Sequence, residues 1–221
     1  MPCTDNAEFA LPDALVSERA ARWQVQRERF ASSAFYQRHH PQAPLTLPTS
    51  LADITQMPFT DKEQLRADQA AYPPFGSYLA HPRNRVTRLH RTSGTSGQAM
   101  NLALSPHDAK LQAKVAGRAQ SAAGLGPGDI VVHCLNYQLW MGGLTDHLGL
   151  EATGALVVPF GTGHTTLLIQ TIRELGINAI SCTPSYPARL AQVLAEQSPA
   201  IAPSDLGLRK AFMGGEPGLD D

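Results

Sequence analysis

Residues 130–158 read IVVHCLNYQLWMGGLTDHLGLEATGALVV, and this stretch decides the fold. The apolar run Ile130–Leu135 has the length and composition of a strand. Leu144–Ala152 reads as a helix, and Ala155–Val158 as the next strand. Strand, helix and strand in so short a span form a crossover unit, which builds parallel sheets with right-handed connections. The alternation continues with helix Thr165–Leu175, strand Ile177–Cys182, helix Tyr186–Glu196 and strand Leu208–Met213. The expectation is an α/β fold, a mainly parallel sheet with flanking helices.

Upstream, Val86–His90 and Met100–Leu104 are short strand-like runs around a Gly/Ser/Thr loop. Ser105-Pro106 then opens a helix running to Ala123, with Ser as its cap and Pro in its first turn. Gly124 to Asp129 breaks that helix. Residues 1–85 differ in character and are expected to form a helical N-terminal region preceding an α/β part, residues 86–221. Ala14–Phe35 places Leu15, Ala20, Trp23, Phe30 and Ala34 among Arg, Glu and Gln, the pattern of an amphipathic helix. Pro41, Pro44, Pro48 and Pro58 mark an extended connection. Thr60 and Glu63 read as a capping box for a short helix, Asp61–Asp68, whose Asp61, Glu63 and Asp68 are expected on a solvated face.

Composition narrows the function. Lys and Arg number 18 against 19 Asp and Glu, a net charge of -1, in a chain of 221 residues. Nucleic acids and anionic membrane surfaces require an excess of positive charge, so neither is an expected partner. No apolar run approaches the roughly 20 residues of a membrane-spanning helix. The acidic N-terminus lacks the pattern of a secretory signal, and a reducing cytoplasm is the expected compartment. Cys3, Cys134 and Cys182 fit neither a disulfide framework nor a zinc site, and the latter two read as buried small apolar residues. Among the eight histidines there is no HExxH motif or paired ligand spacing, so no metal site is expected. His133, mid-strand, reads as a hydrogen-bonded core residue.

Open parallel sheets bind ligands at the carboxyl ends of their strands. The loops to inspect are therefore Asn136–Gly143, Phe160–Gly163, Thr183–Tyr186 and Gly214–Gly218. Between the two upstream strands lies Arg91-Thr-Ser-Gly-Thr-Ser-Gly-Gln98, with two glycines and four hydroxyl residues. Such a loop can turn several backbone N–H groups toward one anion. Taken alone, a Ser/Gly/Thr loop reads first as an ordinary hairpin turn. It is no Walker A loop, since no lysine follows the second glycine, and the G-x-S-x-G elbow of serine hydrolases is absent. Arg83, Arg85, Arg88 and Arg91 form a modest basic cluster beside it, read as a surface patch.

Read together, five stretches resemble the phenylacetate–coenzyme A ligase family of adenylate-forming enzymes. They are Met57-Pro-Phe-Thr-Asp-Lys-Glu-Gln-Leu-Arg66 with Tyr72-Pro-Pro-Phe-Gly76, Ser93-Gly-Thr-Ser-Gly97, Tyr137-Gln-Leu-Trp-Met-Gly-Gly143, Thr183-Pro-Ser-Tyr186 and Gly214-Gly-Glu-Pro217, in collinear order. The resemblance implies ATP-dependent conversion of an aryl or arylacetic carboxylate to an acyl-adenylate, then transfer to coenzyme A. It implies that Ser93, Gly94, Thr95, Ser96 and Gly97 hold the ATP phosphates. Gly214, Gly215, Glu216 and Pro217 would line the adenine pocket. Tyr137, Trp140, Gly142, Gly143, Ser185 and Tyr186 would border the carboxylate pocket. ATP, Mg²⁺ and coenzyme A are the implied cofactors and a small carboxylate the implied partner, with a homodimer left open.

Two departures stand out. Gln98 and Ala99 follow the loop where the family commonly carries Lys-Pro, which removes a cation from the phosphate site. Family chains are also about twice this long, so the sequence is expected to be a piece of a longer protein, inactive alone, with the catalytic groups beyond residue 221. The rival expectation is a nucleotide- or acid-binding module without catalysis.

Overall fold

The computed structural model describes residues 11–41, 49–92, 94, 99–197 and 199–216. Ser93, Thr95, Ser96 and Gly97 of the candidate phosphate loop, and Pro217, lie outside the described residues. The chain divides into two compact units, one ending at Ala109 and one beginning at Lys110.

The first unit opens with helix α1, Pro12–Ser32, and α2, Ala34–His39. The single helix expected to reach Phe35 is interrupted at Ser33, whose backbone is extended. The break turns Phe35 into the unit's interior, where it is fully buried and meets Tyr36 and Tyr78 edge-on, with ring centroids 5.3 and 5.9 Å away. Helix α3, Lys62–Ala71, does begin with a capping box, but one residue later than expected. Asp61 accepts from the Gln64 N–H at 2.7 Å, and the Gln64 side chain accepts from the Asp61 N–H at 3.1 Å. The solvated face expected for this helix also fails at Asp68, which is buried. Its carboxylate accepts from the Ser77 N–H and hydroxyl, both at 2.6 Å, and from Arg38 at 3.1 Å. A strand pair closes the unit. β1, Arg88–Arg91, runs antiparallel to β2, Asn101–Leu104, with Arg88 opposite Leu104 and Arg91 opposite Asn101.

Helix α4, Pro106–Ala122, follows, capped as the sequence implied: the Ser105 hydroxyl accepts from the Asp108 N–H, and Asp108 accepts from the Ser105 N–H. The second unit then builds a parallel four-stranded sheet. Its elements are β3 (Ile130–His133), α5 (Met141–Ala152), β4 (Leu156–Pro159), α6 (Thr165–Leu175), β5 (Ala179–Cys182), α7 (Tyr186–Ala195) and β6 (Lys210–Met213). The strand order is β4-β3-β5-β6, so the most buried strands, β3 and β5, lie in the centre. On one face Val132, Ile180 and Cys182 pack with Leu168, Ile172, Leu190 and Leu194 of α6 and α7. On the other, Val131 and Ala179 pack with Leu125 and Leu150, the latter from α5. This is the α/β fold with flanking helices that the alternation implied. Cys134 and Cys182 are buried, as expected.

Helices α4 and α5 cross on small residues. A Cβ at Gly149 would lie 2.5 Å from that of Ala116, and one at Gly117 would lie 2.7 Å from that of Ala152. The contact admits no larger side chain.

At the amino ends of the strands a polar clamp joins β3, β5 and β6. Lys210 donates to both oxygens of Asp129, at 2.9 and 2.7 Å, and to the Gly124 carbonyl at 2.7 Å. Asp129 also accepts from the Gly126 N–H and the Asn178 amide, while Asn178 accepts from the Ile130 N–H. The lysine foremost holds the Asp129 carboxyl below its ordinary value, against the opposing effect of burial. Asp129→Ala should cost about 2–3 kcal/mol, since it strands a lysine and an amide. A depressed carboxylate contributes stability above its unfolded pKa, near 3.8, and loses it as pH falls through the lower folded value. Urea unfolding at pH 7 should therefore separate wild type from variant clearly, and the gap should narrow below about pH 4.

Candidate functional site

The carboxyl ends of the strands gather the loops that the sequence marked. The anchor is His133, the last residue of β3, which is wholly buried. One ring nitrogen, Nε2, lies 2.8 Å from the Gly143 carbonyl, which can only accept, so Nε2 carries the proton. Nδ1 then accepts from the Ser181 hydroxyl of β5 at 3.0 Å. Burial pushes the imidazole below its ordinary pKa and keeps it neutral.

This bond draws the start of α5 back over the strand end. The helix begins at Met141, three residues before the expected Leu144, so Gly142 and Gly143 lie in its first turn instead of in a loop. The approach is extreme: a Cβ on Gly143 would stand 2.1 Å from the Asn136 carbonyl oxygen. Seven residues, 134–140, turn the chain from strand to helix. They do so tightly: Gln138 N–H donates to the Asn136 side chain at 2.8 Å, Trp140 N–H to the Gln138 carbonyl at 2.6 Å. Leu139 takes a positive φ of 56°. For a residue with a Cβ this conformation costs about 1–3 kcal/mol, and such strain clusters at binding and catalytic loops.

Tyr137 and Trp140 sit on this turn with different neighbours. The Tyr137 ring meets His133 edge-on at 5.5 Å, and its hydroxyl bonds to Nδ1 of His147 at 3.0 Å. His147 in turn reaches Glu151, one helical turn on, at 3.1 Å. Burial pushes the Tyr137 phenol up to about 12, so it stays protonated. The sequence reading missed His147 and Glu151, although their spacing of four residues on a helix beside Tyr137 is a legible signal.

Trp140 points toward the turn after β6. A Cβ at Gly215 would lie 3.2 Å from the indole and 3.8 Å from the Thr183 methyl. Trp140 of the expected acid pocket, Gly215 of the expected adenine turn and Thr183 thus converge. Glu216 Oε1 accepts the Ser185 N–H at 2.7 Å, at the start of α7. The side chains of Ser185, foremost, and of Thr183 hold its carboxyl below the ordinary value. Glu216 therefore latches the β6 turn to the β5 turn and caps α7. Tyr186 stands apart from Tyr137, its hydroxyl 3.3 Å from that of Thr165 on α6. Beneath these loops a cleft of about 480 Å³ is lined by Leu135, Asp146, Cys182, Met213 and Gly214, among others. Burial raises the Asp146 carboxyl there. Among the described residues no cluster of three or more His, Cys, Asp or Glu side chains is placed to hold a metal. Nor is any described helix long and apolar enough to cross a membrane.

In the first unit, the described residue of the candidate phosphate loop, Gly94, has φ +66°. A Cβ there would be 3.1 Å from the Ala99 nitrogen. Both facts reserve the position for glycine.

The Gly143 contact yields a sharp test. Gly143→Ala should destabilise the protein by about 2–4 kcal/mol, because helix start and strand end must separate and His133 loses its acceptor. Gly142→Ala, one residue away, meets only the indole edge at 3.2 Å. It should cost far less in thermal or urea unfolding.

No protein-family profile matches the chain. Curated proteins do. A phenylacetate–coenzyme A ligase from Thermus thermophilus is 39% identical over 167 residues, 76% of this chain and 36% of that protein. One from Pseudomonas putida is 38% identical over 173 residues, 78% of this chain and 38% of its own length. Among solved structures, an open conformation of 2-hydroxyisobutyryl-CoA ligase, in complex with 2-HIB-AMP and CoA, aligns with a TM-score of 0.80. It shares 31% identity over 90% of this chain and 44% of that one. Over the matched residues the chain belongs to the phenylacetate–coenzyme A ligase family, within the adenylate-forming acyl-CoA ligases, and it spans little more than a third of the length of those curated relatives.

Proposed function

We propose that this chain forms the nucleotide- and acid-binding part of an enzyme that activates an aryl or arylacetic acid with ATP and passes the acyl group to coenzyme A. The observation that carries the reading is the convergence of Trp140, Gly215 and Thr183 at the carboxyl edge of the sheet. The glycine packs against the indole edge, so the aromatic of the expected acid pocket and the turn of the expected adenine pocket meet at one rim, and an aromatic rim suits purine and aryl rings. The names of the relatives, ligases of phenylacetate and of 2-hydroxyisobutyrate, support the reaction class.

Roles follow for this chain's residues. Ser93 to Gly97 would cradle the phosphates through backbone N–H groups and hydroxyls, with Mg²⁺ travelling on the nucleotide. Gly214 and Gly215 would border the adenine, while Glu216 and Ser185 hold that turn in place and Pro217 continues it. Tyr137, Trp140, Gly142, Gly143 and Tyr186 would frame the acid. Because the Tyr137 hydroxyl is engaged by His147, the ring is what Tyr137 offers a substrate, which favours an aryl acid over a small hydroxy acid. The barrier to adenylation is the meeting of two anions in line, and orientation with charge dispersal is what these groups supply.

The tests use the full-length protein that carries this sequence. ATP–pyrophosphate exchange should be faster with phenylacetate or benzoate than with 2-hydroxyisobutyrate. Tyr137→Ala should raise KM for the aryl acid about tenfold and leave KM for ATP within twofold; equal loss for both substrates would make Tyr137 a core residue. Gly94→Val, which blocks the positive φ, should reduce ATP-dependent turnover at least tenfold, and Thr95→Ala only severalfold. A Gly94→Val protein with native circular dichroism and wild-type turnover would reduce the loop to a hairpin turn. Binding of ATP and acid without any exchange would favour the non-catalytic module.

A further inference from the structure

The cleft beneath the carboxyl edge of the sheet holds two polar side chains that the site described so far does not use. Its walls are mostly apolar: Leu135, Cys182, Phe212 and Met213 come from the ends of β3, β5 and β6 or just beyond them. The Ser181 hydroxyl also lines it, but is spent on His133 at 3.0 Å. Gln120 of α4 and Asp146 of α5 remain. Among the described residues neither side chain makes a hydrogen bond or an ion pair.

The neighbours of Asp146 on α5 are engaged elsewhere. His147 reaches Tyr137 and Glu151, and Thr145 donates to Gln112 at 3.2 Å. Asp146, between them, lines the cleft instead. It is half-buried, and burial alone raises its carboxyl, with no neighbouring charge contributing. A carboxyl shifted toward its neutral form can both donate and accept a hydrogen bond.

The cleft also runs into the proposed acid site. Leu135 stands two residues before Tyr137. Gly214 precedes Gly215, where a Cβ would lie 3.2 Å from the Trp140 indole. Apolar walls with a few polar groups are how small-molecule pockets take a ring and fix its orientation.

We propose that Asp146, with Gln120, reads a hydroxyl or amino group on the ring of the acid, so that the preferred substrate is a hydroxy- or amino-substituted aryl acid. This rests on the reading of the site as an aryl-acid pocket, and it adds the ring substituent. A phenolic hydroxyl or an aromatic amine donates to a carboxyl oxygen without bringing a charge into the cleft. An unsubstituted ring would cover Asp146 and leave it without a partner. A site built to bond a hydroxyl rejects the analogue lacking it far more strongly than an apolar pocket rejects a missing methylene.

ATP–pyrophosphate exchange by the full-length protein tests this with a matched set of acids: phenylacetate and its ring-hydroxy, ring-amino and ring-methyl derivatives. At one ring position the hydroxy or amino derivative should exceed both phenylacetate and the methyl derivative about tenfold or more in kcat/KM. The methyl group matches the hydroxyl in size, so parity between those two derivatives at every position would overturn the proposal. Asp146→Leu should bring the ratio to about one, whereas Asp146→Asn, which still accepts and donates, should keep most of it. Gln120→Leu should lower the ratio by a smaller factor, about threefold. Circular dichroism is read for each variant; if Asp146→Leu does not fold, the wild-type ratio and Gln120→Leu decide. A folded Asp146→Leu protein that keeps the wild-type preference would overturn the role of Asp146 and leave the aryl reading standing. Exchange with aliphatic acids but with no aryl acid would overturn that reading and the proposal with it.

Discussion

A buried imidazole must replace both hydrogen bonds that water gave it, and His133 does so with two groups that are otherwise unconnected. One is a carbonyl in the first turn of a helix, the other a hydroxyl on the neighbouring strand. The pair of bonds sets where α5 begins, and therefore how few residues can carry the chain from strand to helix. The cost is visible: a residue type excluded at 143, and a left-handed backbone at Leu139. What the constraint yields is a short, stiff turn that presents Tyr137 and Trp140 in fixed directions. Aromatic walls on a floppy loop would lose their ordering entropy each time a ligand bound.

The two ends of the sheet are built on different principles. The amino end is closed by charge, with Asp129, Asn178 and Lys210 satisfying one another across three strands. The carboxyl end is held mainly by neutral groups, and its carboxylates Glu216 and Glu151 are engaged by a helix terminus and by His147. An anionic nucleotide and an anionic acid would both be repelled by free carboxylates, so an end kept nearly free of them is the electrostatically sensible place to receive the two together. Asp146 follows the same logic, since burial favours its neutral form.

The sequence made the parallel sheet readable because buried strands and amphipathic helices leave different periods, and every crossover from Ile130 to Met213 carried both. Element edges were less legible wherever one side chain chose them. Periodicity cannot announce that His133 will hold Gly143, so α5 appeared to start at Leu144. Nor could it separate Thr60 from Asp61 as the cap, since both residue types serve. Asp68 looked like surface charge because its partners, Arg38 and Ser77, are distant in sequence. Of the candidate site, the glycines and aromatics were visible as motifs. The hydrogen bonds that give them direction were not, because Tyr137, His147 and Glu151 meet only once the turn has formed.

That last chain has a polarity that bears on the acid's orientation. Glu151 can only accept, so a neutral His147 places its proton on Nε2 and leaves Nδ1 to accept from the Tyr137 hydroxyl. In that tautomer the phenol proton points inward, and with a pKa raised to about 12 the phenol does not ionise near neutrality. What the oxygen still exposes is lone-pair density. A substrate carboxylate, itself purely an acceptor, gains nothing from approaching that oxygen, whereas an aryl ring gains dispersion and edge contacts from the tyrosine face. For the aryl acid proposed above, the arrangement would favour entry ring-first, with the carboxylate turned away from Tyr137. Reversing the chain, by replacing His147 with a donor-only side chain, would free the phenol proton and remove that bias without altering the shape of the wall.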